Sequence, residues 1–271
     1  MADAATVLPG SLVAADLAAV RLQNPLTQCI TNTVVTGFTA NTLLAVGASP
    51  AMVEAVEEAG EFAAVADALL VNLGTLSAAQ VAGIRAAVDG ATTAGTPWVL
   101  DPVAVGGLRF RTGFAVELLD RRPTVVRGNA SEIMSLAGAG GVAGRGVDSR
   151  ADSGEALDAA RSLAAARRCV VAVSGVVDYV TDGDRVIAVT GGHPLMTRVT
   201  GVGCALGALL AAFLAVDPDP VSASVAASTV LAAAGEAAAE RAAGPGSFAT
   251  ALLDQLHLVD PDDLAARRGV S

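Results

Sequence analysis

Short, uninterrupted apolar runs alternate with helix-like stretches over most of this chain, and that alternation constrains its fold more than any other feature. The runs fall at 26–30, 50–53, 68–72, 97–101, 124–127 and 169–173. Each is continuously apolar rather than alternating, the pattern of strands covered on both faces. Between them lie helices with readable ends: Ser77 and Gln80 form a capping box for 78–94, Gly47 closes 37–46, and Thr112 precedes a helix containing Phe114 to Leu119. Strands alternating with helices predict an α/β fold with a mostly parallel central sheet and helices on both faces. The pattern breaks at 176–190, which reads as a β-hairpin turning at Asp182-Gly183, and only helices follow, at 201–216, 221–243 and about 247–258. No linker or repeat interrupts the 271 residues, so the expectation is one domain over 1–271.

Composition removes several chemistries. All 17 basic residues are arginine, and without lysine there is no Walker A loop, kinase-type strand lysine or Schiff base. Two histidines, His193 and His257, exclude a multi-histidine metal centre, and neither has a visible acid or nucleophile partner. A net charge of −10 argues against nucleic acid and anionic membrane as partners. Three dispersed cysteines, Cys29, Cys169 and Cys204, suit a reducing cytoplasm. The first ten residues lack the basic start of an export signal. Two uncharged runs, 199–216 and 220–235, are long enough to suggest a membrane hairpin, but they carry glycine and alanine and no flanking Trp or Tyr, so buried core helices are expected.

In such a sheet, ligands gather at the carboxyl ends of the strands. Thr200-Gly201-Val202-Gly203-Cys204 precedes an apolar helix, where glycines and free first-turn amides suit a phosphate and the helix field should lower the thiol pKa. The same stretch also reads as a plain glycine-rich loop with a small buried cysteine. Asn129 and Glu132, after Arg127-Gly128, read as a capping box, or as a phosphate clamp (Arg127) beside a Mg²⁺ carboxylate (Glu132). Asp101-Pro102 is a turn starter or a second carboxylate for that metal, and Ser174-Gly175 ends the last run before the hairpin.

Six segments, in order, carry a resemblance: Gln28-Cys29-Ile30-Thr31-Asn32, Gly47-Ala48-Ser49-Pro50-Ala51-Met52, Asn72-Leu73-Gly74-Thr75-Leu76, Leu100-Asp101-Pro102-Val103, Arg127-Gly128-Asn129-Ala130-Ser131-Glu132 and Thr200-Gly201-Val202-Gly203-Cys204. Over about 24–258 the chain resembles the hydroxyethylthiazole kinases. The resemblance implies a ribokinase-like fold without a lid domain. It implies transfer of the ATP γ-phosphate, with Mg²⁺, to the primary hydroxyl of 4-methyl-5-(2-hydroxyethyl)thiazole in thiamine salvage. It also implies substrate contacts at Met52, Gly201, Asn32 and Gly74, ATP contacts at Arg127, Ser174 and Gly203, a metal site at Glu132 and Asp101, and Cys204 as the group that helps deprotonate the alcohol. A homotrimer with sites between subunits is implied as well. The chain departs from the family pattern at Val202, where Thr is usual, and at Ser174, where Thr is common. The neighbouring reading is a kinase of the same fold acting on another small alcohol such as a hydroxymethylpyrimidine. A nucleotide-binding protein without turnover would need a defective metal or base position, and Asp101, Glu132 and Cys204 are all present. A nicotinamide dehydrogenase fails because no G-x-G-x-x-G follows the first strand.

Overall fold

The computed structural model describes residues 8–141 and 154–266. Residues 1–7, most of the stretch read for an export signal, lie outside the described residues, as do both ends of the 1–271 span. Eight strands form one sheet: β1 (Leu26–Ile30), β2 (Ser49–Ala51), β3 (Ala68–Asn72), β4 (Trp98–Asp101), β5 (Val125–Asn129), β6 (Val170–Ser174), β7 (Val177–Thr181) and β8 (Val186–Thr190). Their order is β2-β1-β3-β4-β5-β6-β7-β8, parallel through β6, with β7 antiparallel to both β6 and β8. Gly183, at φ +104°, turns the hairpin as the sequence predicts.

The helices are α1 (Gly10–Gln23), α2 (Thr36–Val46), α3 (Val56–Val65), α4 (Ala78–Ala94), α5 (Arg109–Leu119), α6 (Ala130–Ala139), α7 (Leu157–Arg167), α8 (Val202–Leu214), α9 (Pro220–Ala239), α10 (Pro245–Leu258) and α11 (Pro261–Ala266). They divide into two layers, because successive strand residues point to opposite faces. Ala68 and Leu70 of β3 pack with Leu17, Leu43, Leu209, Val225 and Phe248 of α1, α2, α8, α9 and α10. Leu69 and Val71 of the same strand pack with Ala63, Ile84, Phe114, Ile133 and Leu163 of α3 to α7. This double cover explains the continuous apolar runs.

Both capping boxes form, Ser77 with Gln80 on α4 and Asn129 with Glu132 on α6. The helix expected to start at Thr112 begins instead at Arg109. Thr112 lies inside α5, where its hydroxyl donates to Leu108 O and accepts from Gly106 N–H, so it ties the preceding loop rather than capping the helix. The uncharged runs become α8 and α9, and 89% of the α9 window that is long and apolar enough to cross a membrane is buried inside the protein. These are core helices, as expected.

Candidate active site

Parallel strands deliver their carboxyl ends to one edge of the sheet, so Asn72, Asp101, Asn129 and Ser174 reach that edge from β3, β4, β5 and β6. The α8 N-terminus meets them there. Gly201 stands at its N-cap with φ +101°, and a side chain would also be strained by Val35, whose Cγ1 lies 2.8 Å from where a Cβ would sit. No side chain caps this end, which leaves the first-turn amides of residues 202–204 directed at the strand ends.

Arg127 crosses from β5 to β6. Its Nε and Nη2 donate to the Ser174 hydroxyl at 3.1 and 2.9 Å, and its Nη1 lies 3.7 Å from Asp101 Oδ2. The guanidinium can pass so close to α8 because residue 203 is glycine, since a Cβ there would stand 3.1 Å from Nη1. Gly207, one turn on, gives Asp101 the same clearance, with Oδ2 only 3.3 Å from its Cβ position.

Asp101 is fully buried. Its Oδ2 accepts from Asn72 Nδ2 at 2.6 Å, while Oδ1 is buried without a partner. Burial, opposed by Arg127 and Asn72 and reinforced by Glu132, pushes its carboxyl up to about 7. Glu132 fulfils the capping reading made of it. Its Oε2 accepts from Asn129 N–H and its Oε1 from Ala104 N–H, each at 2.9 Å, and its charge is felt at Asp101.

Cys204 is the half-buried member of the three free cysteines. Its pKa moves against expectation. Burial and the neighbouring Asp101 raise it, outweighing Asn72, Arg127 and Asn32, so the helix field does not leave this thiol ionised. Asn32 and Gly74 also meet, for a Cβ on Gly74 would lie 2.5 Å from Asn32 Nδ2. Met52 stands one residue past β2, half-buried against the α8-side core at the same sheet edge.

A cleft of about 670 Å³ opens from Arg127, Ser174 and Gly203 toward an apolar end built by Met196, Leu231 and Ala232. Two groups here escaped the sequence reading. Asp178, on β7, lines the cleft and accepts from Gly175 N–H at 2.9 Å, which sets the turn after Ser174. Asn72, which ends the 68–72 run and opens the Asn72-Leu73-Gly74-Thr75-Leu76 segment, carries no expected role of its own. His193 also lines the cleft, yet its Nδ1 accepts from Leu195 N–H, so it shapes the loop rather than supplying an acid.

A basic clamp, an uncapped helix start and a half-buried thiol are now in place. The family model for the hydroxyethylthiazole kinase family matches residues 17–262. The chain belongs to that family. It is 55% identical over 260 residues to the hydroxyethylthiazole kinase of Tolumonas auensis, covering 95% of this chain and 97% of that one. It is 54% identical to that of Kineococcus radiotolerans, covering 96% and 94%. A solved hydroxyethylthiazole kinase from Pyrococcus horikoshii superposes with a TM-score of 0.87 at 40% identity, covering 95% of this chain and 96% of that one. A ribokinase-like superfamily protein from Enterococcus faecalis, 14% identical with a TM-score of 0.61 and covering 94% and 89%, shares the fold alone. The hydroxyethylthiazole kinase family therefore supplies both the α/β class and the ribokinase-like architecture expected from the motifs, and among the described residues every strand lies in the one sheet, leaving none for a lid sheet.

Proposed function

We propose that this chain transfers the γ-phosphate of ATP to the primary hydroxyl of 4-methyl-5-(2-hydroxyethyl)thiazole, a thiamine-salvage step, as one ribokinase-like domain spanning 1–271. The observation that carries the reading is the convergence of Arg127, Ser174 and the free α8 amides around Gly203 on the side of Cys204. Relatives with more than half their residues identical, named for this activity, supply the substrate.

Arg127 and the amides of 202–204 would receive the phosphate oxygens, with charge spread over the transferring group met by fixed donors. Gly201, Asn32, Gly74 and Met52 would seat the alcohol. Cys204 would sit against its hydroxyl as the group taking the proton. A thiol held mostly neutral contributes modestly to that removal, which suffices because loose phosphoryl-transfer transition states need little base assistance.

Asp101 and Glu132 suit Mg²⁺. The unpartnered, buried Asp101 Oδ1 is the kind of hard oxygen that such a cation satisfies. Among the described residues no group of three or more candidate ligands occurs, which fits an ion whose other ligands are phosphates and water. Bound there, Mg²⁺ would offset phosphate charge that Arg127 alone leaves uncompensated.

The purified chain with Mg-ATP and the thiazole alcohol should yield the phosphate ester. Turnover of a hydroxymethylpyrimidine in its place would move the reading to the neighbouring alcohol, and nucleotide binding without any ester would refute it. We further infer a homotrimer with thiazole pockets between subunits, for which light scattering should give three times the 26.7 kDa chain mass, and a reducing, cytoplasmic setting in keeping with the three free cysteines.

A further inference from the structure

Near its end, α9 carries Gly235 and Glu236 side by side, and both meet the segment that leaves β8. Glu236 Oε1 accepts from Gly192 N–H at 3.0 Å. The same oxygen lies 2.6 Å from where a Cβ on Gly191 would stand, so glycine is what admits the carboxylate to this turn. Gly191 and Gly192 have φ of +126° and +83°, which bends the chain sharply out of the sheet. Two successive glycines leave the backbone many other conformations, so a tether from α9 selects the one that is held.

Gly235 receives the next part of the segment. Glycine inside a helix costs up to about 1 kcal/mol relative to alanine. Here the missing methyl leaves a notch, because a Cβ at 235 would lie 2.7 Å from Met196 Sδ. Met196 belongs to the short 3₁₀ turn Pro194–Arg198 that follows the two glycines, and its sulfur accepts from His193 N–H at 3.4 Å. Glu236 therefore holds the start of the segment, and Gly235 seats the thioether four residues on.

This clasp faces the cleft, which Gly191, Gly192 and Met196 line together with Leu231 and Ala232 of α9. Arg127 and Gly203 mark the end suited to phosphates, so the base of a nucleotide bound there extends toward the apolar wall. A flat ring gains from contact with a polarisable sulfur. We infer that Glu236 is a positioning residue of the nucleotide cleft, its carboxylate holding the Gly191-Gly192 turn so that Met196 stands as a wall against the base. This deepens the kinase reading above and rests on it. None of the clasp residues is among those assigned to the alcohol or the phosphates, so the role is one of affinity for the base.

The test compares Glu236→Ala, Glu236→Gln, Met196→Ala and the double alanine variant, with ADP and pyrophosphate binding measured by calorimetry. Glu236→Ala should weaken ADP about 5- to 20-fold, the scale of one lost hydrogen bond to a charged acceptor. Pyrophosphate, which has no base to meet the wall, should bind within about twofold of wild type. In turnover the KM for ATP should rise with the ADP constant, while kcat and the KM for the alcohol stay within about threefold. Glu236→Gln keeps an oxygen for the Gly192 N–H and should bind ADP within about threefold of wild type. In the Met196→Ala background, loss of Glu236 should cost less than about threefold further, because the wall it positions is gone. Equal losses for ADP and pyrophosphate, a glutamine variant as weak as the alanine one, or equal factors in both backgrounds overturn the assignment. Alanine is the best helix former, so Glu236→Ala should fold. If it does not, Met196→Ala still decides, since undiminished ADP affinity there removes the wall. A wild-type chain that binds ADP but phosphorylates no alcohol refutes the kinase reading alone, and the ADP and pyrophosphate comparison still decides the role of Glu236. No ADP binding at all overturns both.

Discussion

Arg127 spends two of its donors on one neutral oxygen, the Ser174 hydroxyl, while its third nitrogen stops 3.7 Å short of the Asp101 carboxylate. The arrangement keeps a nearly buried cation beside a buried acid without letting the two collapse into a close ion pair. A close pair would occupy both groups proposed for catalysis, the phosphate clamp and the metal carboxylate. Ser174 at the end of β6 thus works as a spacer as much as a ligand.

Removing the spacer has a directional consequence. In Ser174→Ala the guanidinium loses both hydrogen bonds and its nearest anion is Asp101, so it should swing inward and bind triphosphate less well. We expect the KM for ATP to rise about 3- to 10-fold, in line with a net hydrogen-bond contribution near 1 kcal/mol, with kcat changing less than threefold. Ser174→Thr keeps the hydroxyl and should stay within about twofold of wild type. Steady-state kinetics at varied ATP separates the two variants, and a wild-type KM in Ser174→Ala contradicts the spacer role.

The cysteines give a second test. Cys29 and Cys169 are 2% and 6% exposed and burial pushes both thiols up to about 12, whereas Cys204 is half-buried at the cleft. Because thiolate is the reactive form, iodoacetamide should modify Cys204 first and alone in the folded protein. Mass spectrometry should find one adduct per chain, appearing in step with loss of kinase activity and slowed by ATP with the alcohol. Full activity in the singly modified protein would remove Cys204 from the site.

Strand positions were legible because double burial leaves a one-dimensional trace: the runs at 26–30 and 68–72 coincide with β1 and β3, and 78–94 coincides with α4 through its Ser77–Gln80 box. Several helices without such marks leave no readable start in the sequence. α1 begins after Pro9 and α3 after Ala55, neither with a side-chain cap, and both were passed over. In the site, Arg127, Ser174 and Cys204 could be named from motifs, but Asn72 could not. Its meaning lies in Asp101, which reaches its amide through strand order, and no local spacing records that. The sign of the Cys204 shift failed for the same reason, because the helix start is local while Asp101 arrives from another strand.

Away from the site, Asp16 on α1 is half-buried beside Asp217, and burial together with that like charge pushes its carboxyl up to about 7. The folded state therefore holds this proton where the unfolded chain, near 3.8, has released it. Stability from this group is fully present below about 4 and is lost as pH rises through 7. With about half the side chain reached by water, the loss should be roughly 1–2 kcal/mol rather than the full linkage value. Asp16→Asn should accordingly raise the melting temperature at pH 8 and leave it unchanged at pH 4. Equal effects at both pH values would mean that the proton is not involved.

Gly203 separates stability from nucleotide binding. It is the second residue of α8, in ordinary helical conformation, so alanine there should favour the helix by up to about 1 kcal/mol. The added methyl, however, would stand 3.1 and 3.3 Å from Arg127 Nη1 and Nη2, forcing the guanidinium to give way, and it would enter the cleft beside the free amides. Gly203→Ala should therefore melt no lower than wild type while its KM for ATP rises about 10-fold, and calorimetry with ADP should show the same weakening in the absence of any alcohol. An unchanged nucleotide affinity would place the phosphates away from the α8 start. A lower melting temperature would show instead that the glycine serves packing rather than passage for Arg127.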